Sequence, residues 1–141
     1  KELAKNLGVL ERVIFKGFVS HSEMPKYLKA CDIFIRPSLS EGMGNSFIEA
    51  MAAGIPVIGT AVGGITDFLR DGDTGYFCQP KNPESVAETI KRVINDSQKN
   101  LVTENAYNMI LEKYNWDIIA KEMKKIFNSN FNSVSFSSAL Y

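Results

Sequence analysis

Pro37-Ser-Leu-Ser-Glu41-Gly-Met-Gly-Asn-Ser46-Phe-Ile-Glu49-Ala-Met-Ala-Ala-Gly54-Ile-Pro56-Val-Ile58 is the stretch on which the fold turns. It reads as strand end, glycine loop, helix, glycine stop and strand. Pro37 stops the strand Asp32–Arg36, Ser46–Ala53 is the helix, Gly54 ends it, and Pro56–Thr60 is the next strand. Upstream, Lys1–Leu7 is the end of a helix stopped by Gly8. Arg12–Gly17 is a short buried strand. Ser20 and Glu23 have capping-box spacing ahead of Met24, Leu28 and Cys31, which recur at helical intervals. Downstream, Ile65–Leu69 is a short helix, Asp71–Gly75 a turn and Tyr76–Cys78 a fourth strand. Asn82 caps a helix with Pro83 at its first position and a stripe of Val86, Ile90, Val93 and Ile94. A helix from about Leu101 to Lys113 follows. The last helix starts after Asn115, with Trp116, Ile119, Ala120, Met123, Ile126 and Phe127 on one face. Residues 128–141, rich in Asn and Ser, are expected to form a loose tail.

Short, continuously apolar strands alternating with helices specify an α/β fold, a Rossmann-like parallel sheet with helices on both faces. Ligands of such sheets bind outside the carboxyl ends of the strands. The glycine loops at Gly17, Glu41–Gly44 and Gly63-Gly64 all follow strands, so they are predicted to meet at one end of the sheet.

Composition narrows the function classes. The chain has 141 residues, 45% hydrophobic and 23% charged, with 16 basic and 16 acidic side chains. Zero net charge and a pI near 6.8 argue against binding driven by nucleic-acid phosphates, so no nucleic-acid partner is expected. Two cysteines 47 residues apart and one histidine cannot build a zinc fold. Cys31 and Cys78 are both expected to be buried thiols, which suits a cytoplasmic protein. The apolar stretch Ile48–Ile65 is broken by Glu49, Pro56 and four glycines, too often for a membrane span. The chain opens Lys-Glu-Leu, without Met or a signal peptide, which reads as a cut inside a longer polypeptide.

The chemistry is concentrated in the quoted stretch. Its glycines let backbone approach a ligand closely. The loop feeds a helix N-terminus, whose free N–H groups suit an anion such as phosphate. Glu41 stands at the loop mouth and Glu49 about one turn into the helix. That arrangement fits a ligand with phosphates in the middle and hydroxyls at both ends. A plainer reading competes: Ser46-x-x-Glu49 is also a capping box, in which Glu49 only holds the helix start. Glu41 could equally be a solvated loop residue, and Arg36 a surface ion pair.

The whole string P-S-x-x-E-G-x-G-x-x-x-x-E-A-M-A-x-G-x-P-V resembles the donor-binding signature of retaining glycosyltransferases of family 4, which have the GT-B fold. Two glutamates separated by seven residues, here Glu41 and Glu49, are its centre. Arg12–Gly17 is similar to the strand before the family's base-binding loop. Ala30-Cys31-Asp32 precedes Pro37-Ser38 as in the family, Gly63-Gly64 through Gly75 resembles its second glycine region, and Asn115-Trp116-Asp117 its final helix. The resemblance covers residues 1–127. Asp67 departs from it, since the family usually has Glu there.

The resemblance implies that residues 1–127 are a C-terminal donor-binding domain lacking its first strands. Glu41 would be the catalytic-site residue, hydrogen-bonding hydroxyls of the donor sugar. Glu49 would take the ribose hydroxyls. Backbone of Gly42, Met43, Gly44, Asn45 and Ser46 would face sugar and diphosphate, and backbone near Val19 the base. Arg36 is a candidate phosphate contact. The implied reaction transfers a hexose from a nucleoside diphosphate sugar to a hydroxyl, with retention, in glycan or glycolipid synthesis. No cofactor and no metal are expected. The acceptor, a glycan or lipid-linked sugar, would be read by a missing N-terminal domain, and the full-length enzyme could touch a membrane peripherally. A helix N-terminus stabilises an anion by about 0.3–2 kcal/mol, roughly thirtyfold in rate at most, whereas enzymes supply at least about a millionfold. The family's further cations, an Arg and a Lys from an earlier loop, have no match here, so the 141 residues alone are expected to be inactive.

A non-catalytic sugar-nucleotide-binding or adaptor module on the same fold is the alternative; it predicts a damaged glutamate pair. A dinucleotide oxidoreductase would need G-x-G-x-x-G, and Gly42-Met43-Gly44 lacks the third glycine. The family's strand order, 3-2-1-4-5-6, makes the four strands found here its third to sixth. Residues 13–15 would then pair directly with 33–35, receive an edge from a second copy, or remain unpaired with 33–35 open on one side.

Overall fold

The computed structural model describes residues 1–131. Three parallel strands form the sheet: β1 (Phe34–Arg36), β2 (Val57–Gly59) and β3 (Tyr76–Phe77), in the order β1-β2-β3. Phe34 lies opposite Val57, and Ile58 opposite Tyr76. The helices are α1 (Glu2–Asn6), α2 (Met24–Lys29), α3 (Asn45–Ala52), α4 (Pro83–Asn95), α5 (Lys99–Lys113) and α6 (Trp116–Phe131), with 3₁₀ turns at Leu10–Arg12 and Gly63–Asp67.

The sheet is covered on both faces, as its apolar strands require. Successive β2 residues point to opposite sides. Val57 joins a core with Phe47, Ala50 and Met51 of α3 and Ala106, Met109 and Ile110 of α5. Ile58 joins a second core with Tyr76, Cys78, Val93 of α4 and Val102 of α5. In the first, the rings of Phe34, Phe47, Phe68 and Tyr114 form a chain with centroids 5.3, 6.2 and 6.2 Å apart. Removing the fully buried Phe47 ring would cost about 3–5 kcal/mol. Asn82 caps α4 as expected, its side chain accepting from the Ser85 N–H at 2.9 Å.

Four expectations are corrected. First, residues 13–17 form no strand. Among the described residues no neighbour offers them a ladder, and a segment without a partner cannot become one. Ile14 is 79% and Phe18 94% exposed, and among the described residues β1 pairs only with β2 and its other side is open. Second, α2 starts at Met24, not Ser20. The Ser20 side chain caps no helix N–H, although its carbonyl accepts from the Met24 N–H at 3.1 Å; its hydroxyl donates to the Glu23 carboxylate at 3.5 Å, and Pro25 sets the helix start. Third, Cys31 is exposed because nothing described packs over the C-terminal end of α2; its thiol donates to the Tyr27 carbonyl. Cys78 is buried as expected, and burial pushes its thiol pKa up. Fourth, the last helix continues past 127 into residues expected to be tail; among the described residues Trp116 (81% exposed), Met123, Ile126 and Phe127 of its apolar face stay exposed while Ile119 is half-buried. The helix runs to Phe131; the remainder of the expected tail, 132–141, lies outside the described residues.

Tyr76 ties the second core to α4. Its hydroxyl donates to the Asp96 carboxylate at 2.9 Å. Burial, reinforced by that bond, pushes the Tyr76 pKa from 10.0 up to about 12. From about pH 10 the unfolded chain gives up this proton while the folded chain keeps it, so stability falls as the pH climbs toward about 12. Urea unfolding of wild type and Tyr76→Phe is therefore expected to show a wild-type advantage at about pH 9 that shrinks progressively between about pH 10 and about 12. An advantage that does not change with pH would contradict this.

Candidate functional site

The site is the loop between β1 and α3, at the carboxyl ends of the strands. Three constraints shape it. Arg36 is the last residue of β1. Gly44 takes the left-handed conformation (φ 74°) and forms the N-terminal boundary of α3. There it is buried, and an added Cβ would meet Phe47, Ile65 and Phe68 at 3.3–3.5 Å. The third is the turn after β2. A Cβ on Gly63 would stand 1.9 Å from the Glu41 carbonyl oxygen, and one on Gly64 would stand 2.4 Å from that of Gly42. The Gly64 N–H donates to the Gly42 carbonyl at 2.9 Å. Backbone thus lies directly on backbone, so residues 63 and 64 have to be glycine.

The side chains then fall into place. Glu41 is 12% exposed, and a carboxylate so placed needs partners. Its Oε1 accepts from the Arg36 guanidinium at 2.7 Å and from the Ser38 hydroxyl at 2.8 Å. Among the described residues Oε2 has no hydrogen-bond partner. The other arm of Arg36 donates to the Ser46 hydroxyl at 2.9 Å. Glu49 is 37% exposed, and its Oε1 lies 3.9 Å from Nδ1 of His21. Val19 and Ser46 are half-buried, Gly42, Met43 and Asn45 exposed. Asp67 ends the 3₁₀ turn, exposed.

Two of the three glycine loops meet, and the segment after Gly17, which follows no strand, reaches α3 instead. Gly64 bonds Gly42, and His21, carried by the loop after Gly17, reaches Glu49. The capping-box reading of Ser46 and Glu49 is corrected. Ser46 lies inside α3, no side chain caps the helix, and the Ser46 hydroxyl is held by Arg36 instead. The Arg36 guanidinium is engaged by Glu41 and Ser46. Sequence reasoning missed three contributors. Thr60 is fully buried and donates to the Ser38 carbonyl, pinning the start of the loop to the end of β2. Ser38 could have been found from its place three residues before Glu41. Nothing in the sequence marked His21. A cavity of about 510 Å³, lined by Pro37, Leu39, Gln79, Lys81, Asn82, Pro83 and Val86, opens beside the same loop on its β3 side.

The profile of the family described as Glycosyl transferases group 1 matches residues 1–109. An uncharacterized glycosyltransferase of Methanocaldococcus jannaschii is 38% identical over 128 residues, 90% of this chain and 33% of that protein. Anabaena HepE in complex with UDP-glucose superposes with a TM-score of 0.83 at 27% identity, over 91% of this chain and 35% of that one. The C-terminal domain of a glycosyl transferase group 1 family protein from Francisella tularensis superposes with a TM-score of 0.73 at 31% identity, over 82% of this chain and 60% of that one. The chain spans about a third of the length of the curated relatives it matches.

The packing of the two glycine loops is directly testable. Gly64→Ala forces its Cβ into the Gly42 carbonyl and is expected to cost about 1–3 kcal/mol in urea unfolding. Gly42→Ala, whose Cβ meets nothing within 4 Å, is expected to stay within about 1 kcal/mol of wild type. Equal losses in the two variants would contradict the backbone apposition.

Proposed function

From the premise that the chain belongs to the glycosyl transferases group 1 family, whose GT-B fold has a C-terminal Rossmann-like half that this sheet matches, we propose that it binds the sugar donor of a retaining glycosyltransferase of the family 4 type. The observation that carries this is the placement of two carboxylates on either side of the α3 N-terminus, with the amides of Gly42–Ser46 between them. Anabaena HepE holds UDP-glucose, and in another structure UDP, on the same fold. On this reading Glu49 accepts from two ribose hydroxyls and Glu41 from hydroxyls of the sugar. The diphosphate rests over the α3 N-terminus, where a helix offers free N–H groups and a partial positive charge. The base lies near Val19.

The whole protein would transfer a hexose to a hydroxyl of a glycan or lipid-linked acceptor, with retention, in carbohydrate biosynthesis. No bound metal takes part in this proposal. We place the protein in the cytoplasm; among the described residues no helix is long and apolar enough to cross a membrane. The chain by itself would bind donor without transferring sugar, because the helix terminus alone stabilises the leaving diphosphate by too little.

Glu49→Gln keeps the shape and removes the charge. Because Glu49 caps nothing, the melting temperature is expected to stay unchanged while donor affinity in calorimetry falls about tenfold or more. A fall in stability with no change in donor affinity would assign Glu49 to the fold instead.

A further inference from the structure

We propose that Arg36 is a positioning residue for the donor sugar: it turns Glu41 so that one carboxylate oxygen is anchored and the other is offered to sugar hydroxyls. The proposal rests on the donor-binding reading and departs from the expectation that Arg36 contacts phosphate.

The geometry divides the two oxygens. Oε1 of Glu41 receives both protein donors, the Arg36 guanidinium at 2.7 Å and the Ser38 hydroxyl at 2.8 Å. With Oε1 saturated from two directions, the carboxylate cannot rotate freely about its terminal bond, and Oε2 keeps a fixed aim. Arg36 belongs to a strand, so the anchor is rigid. Ser38 is held in turn through its carbonyl by the buried Thr60 hydroxyl. The second arm of the guanidinium takes the Ser46 hydroxyl at 2.9 Å. One planar fork therefore spans the loop, from Glu41 near its middle to the first turn of α3. A lysine ammonium could reach one of these partners but cannot present the same two-directional fork. The pair has an electrostatic consequence as well. A diphosphate arriving beside Glu41 would meet a carboxylate of its own sign; Arg36 balances that charge beforehand, and its cation is already committed to the carboxylate.

Positioning and phosphate contact predict different binding patterns. Wild type, Arg36→Gln, Arg36→Lys, Glu41→Gln and the double variant Arg36→Gln/Glu41→Gln of the full chain are titrated with UDP-glucose and UDP, and with the corresponding ADP-glucose/ADP and GDP-mannose/GDP pairs. For the pair that wild type binds, Arg36→Gln and Glu41→Gln are each expected to weaken the nucleotide sugar about tenfold while leaving the nucleoside diphosphate within about twofold. The double variant is expected to lose no more than Glu41→Gln alone, and Arg36→Lys to recover part of the loss. Equal weakening of both ligands by Arg36→Gln would make Arg36 a phosphate contact and overturn the proposal. An effect of Glu41→Gln with none of Arg36→Gln would also overturn it, leaving the donor-binding reading intact. Binding of none of the pairs by wild type would overturn that reading, and the proposal with it.

Discussion

The apposition of two backbone segments controls this molecule. The carbonyls of Glu41 and Gly42 sit where side chains of residues 63 and 64 would otherwise stand, and the Gly64 N–H fastens them. Two loops that follow neighbouring parallel strands are thereby locked at the carboxyl end of the sheet. The hydrophobic core beneath supports the same contact: Gly44 packs against Phe47, Ile65 and Phe68, which belong to α3, the second loop and the residue after it. The position of Glu41 follows from where its own carbonyl is trapped.

Electrostatics then refine what sterics set. The site holds two carboxylates, one guanidinium, the His21 imidazole and one helix N-terminus. Because the guanidinium is engaged by Glu41 and Ser46, the local positive field that faces a ligand comes from the backbone amides of α3. That combination suits hydroxyls at two points with an anion between them. It does not suit heavy stabilisation of a leaving group, which takes far more than a helix terminus supplies. Recognition of a donor and activation of its diphosphate are thus separable in physical terms, and in the proposed reading these residues serve the first.

Much of this was legible in the chain, for identifiable reasons. The run from Pro37 to Ile58 carries its own punctuation, so strand, loop, helix and strand could be placed, and the meeting of the loops after β1 and β2 followed from parallel topology alone. Features that depend on neighbours were not legible. Residues 13–17 have the composition of a buried strand, yet a ladder needs a partner and none is described beside them. Trp116, Met123 and Phe127 show a clean apolar stripe, but periodicity says which face is apolar and not what covers it; the same holds for Cys31. At the site, Ser46 and Glu49 matched a capping box by spacing, and the deciding fact was that Gly44, in the left-handed conformation, forms the boundary two residues earlier than a Ser46 cap would require. The pairing of Arg36 with Glu41 bridges a strand and a loop at a spacing that has no periodic signature.

The central claim is that Glu41, the amides of Gly42–Ser46 and Glu49 form one donor site. A crystal structure of the chain with the nucleoside diphosphate sugar it binds tests it most directly. The account predicts ribose hydroxyls on Glu49, the diphosphate over the N-terminus of α3 and sugar hydroxyls on Oε2 of Glu41. A donor seated instead in the cavity lined by Leu39, Lys81 and Val86, or at the opposite end of the sheet beside Gly54, Lys99 and Tyr107, with both glutamates untouched, would contradict it.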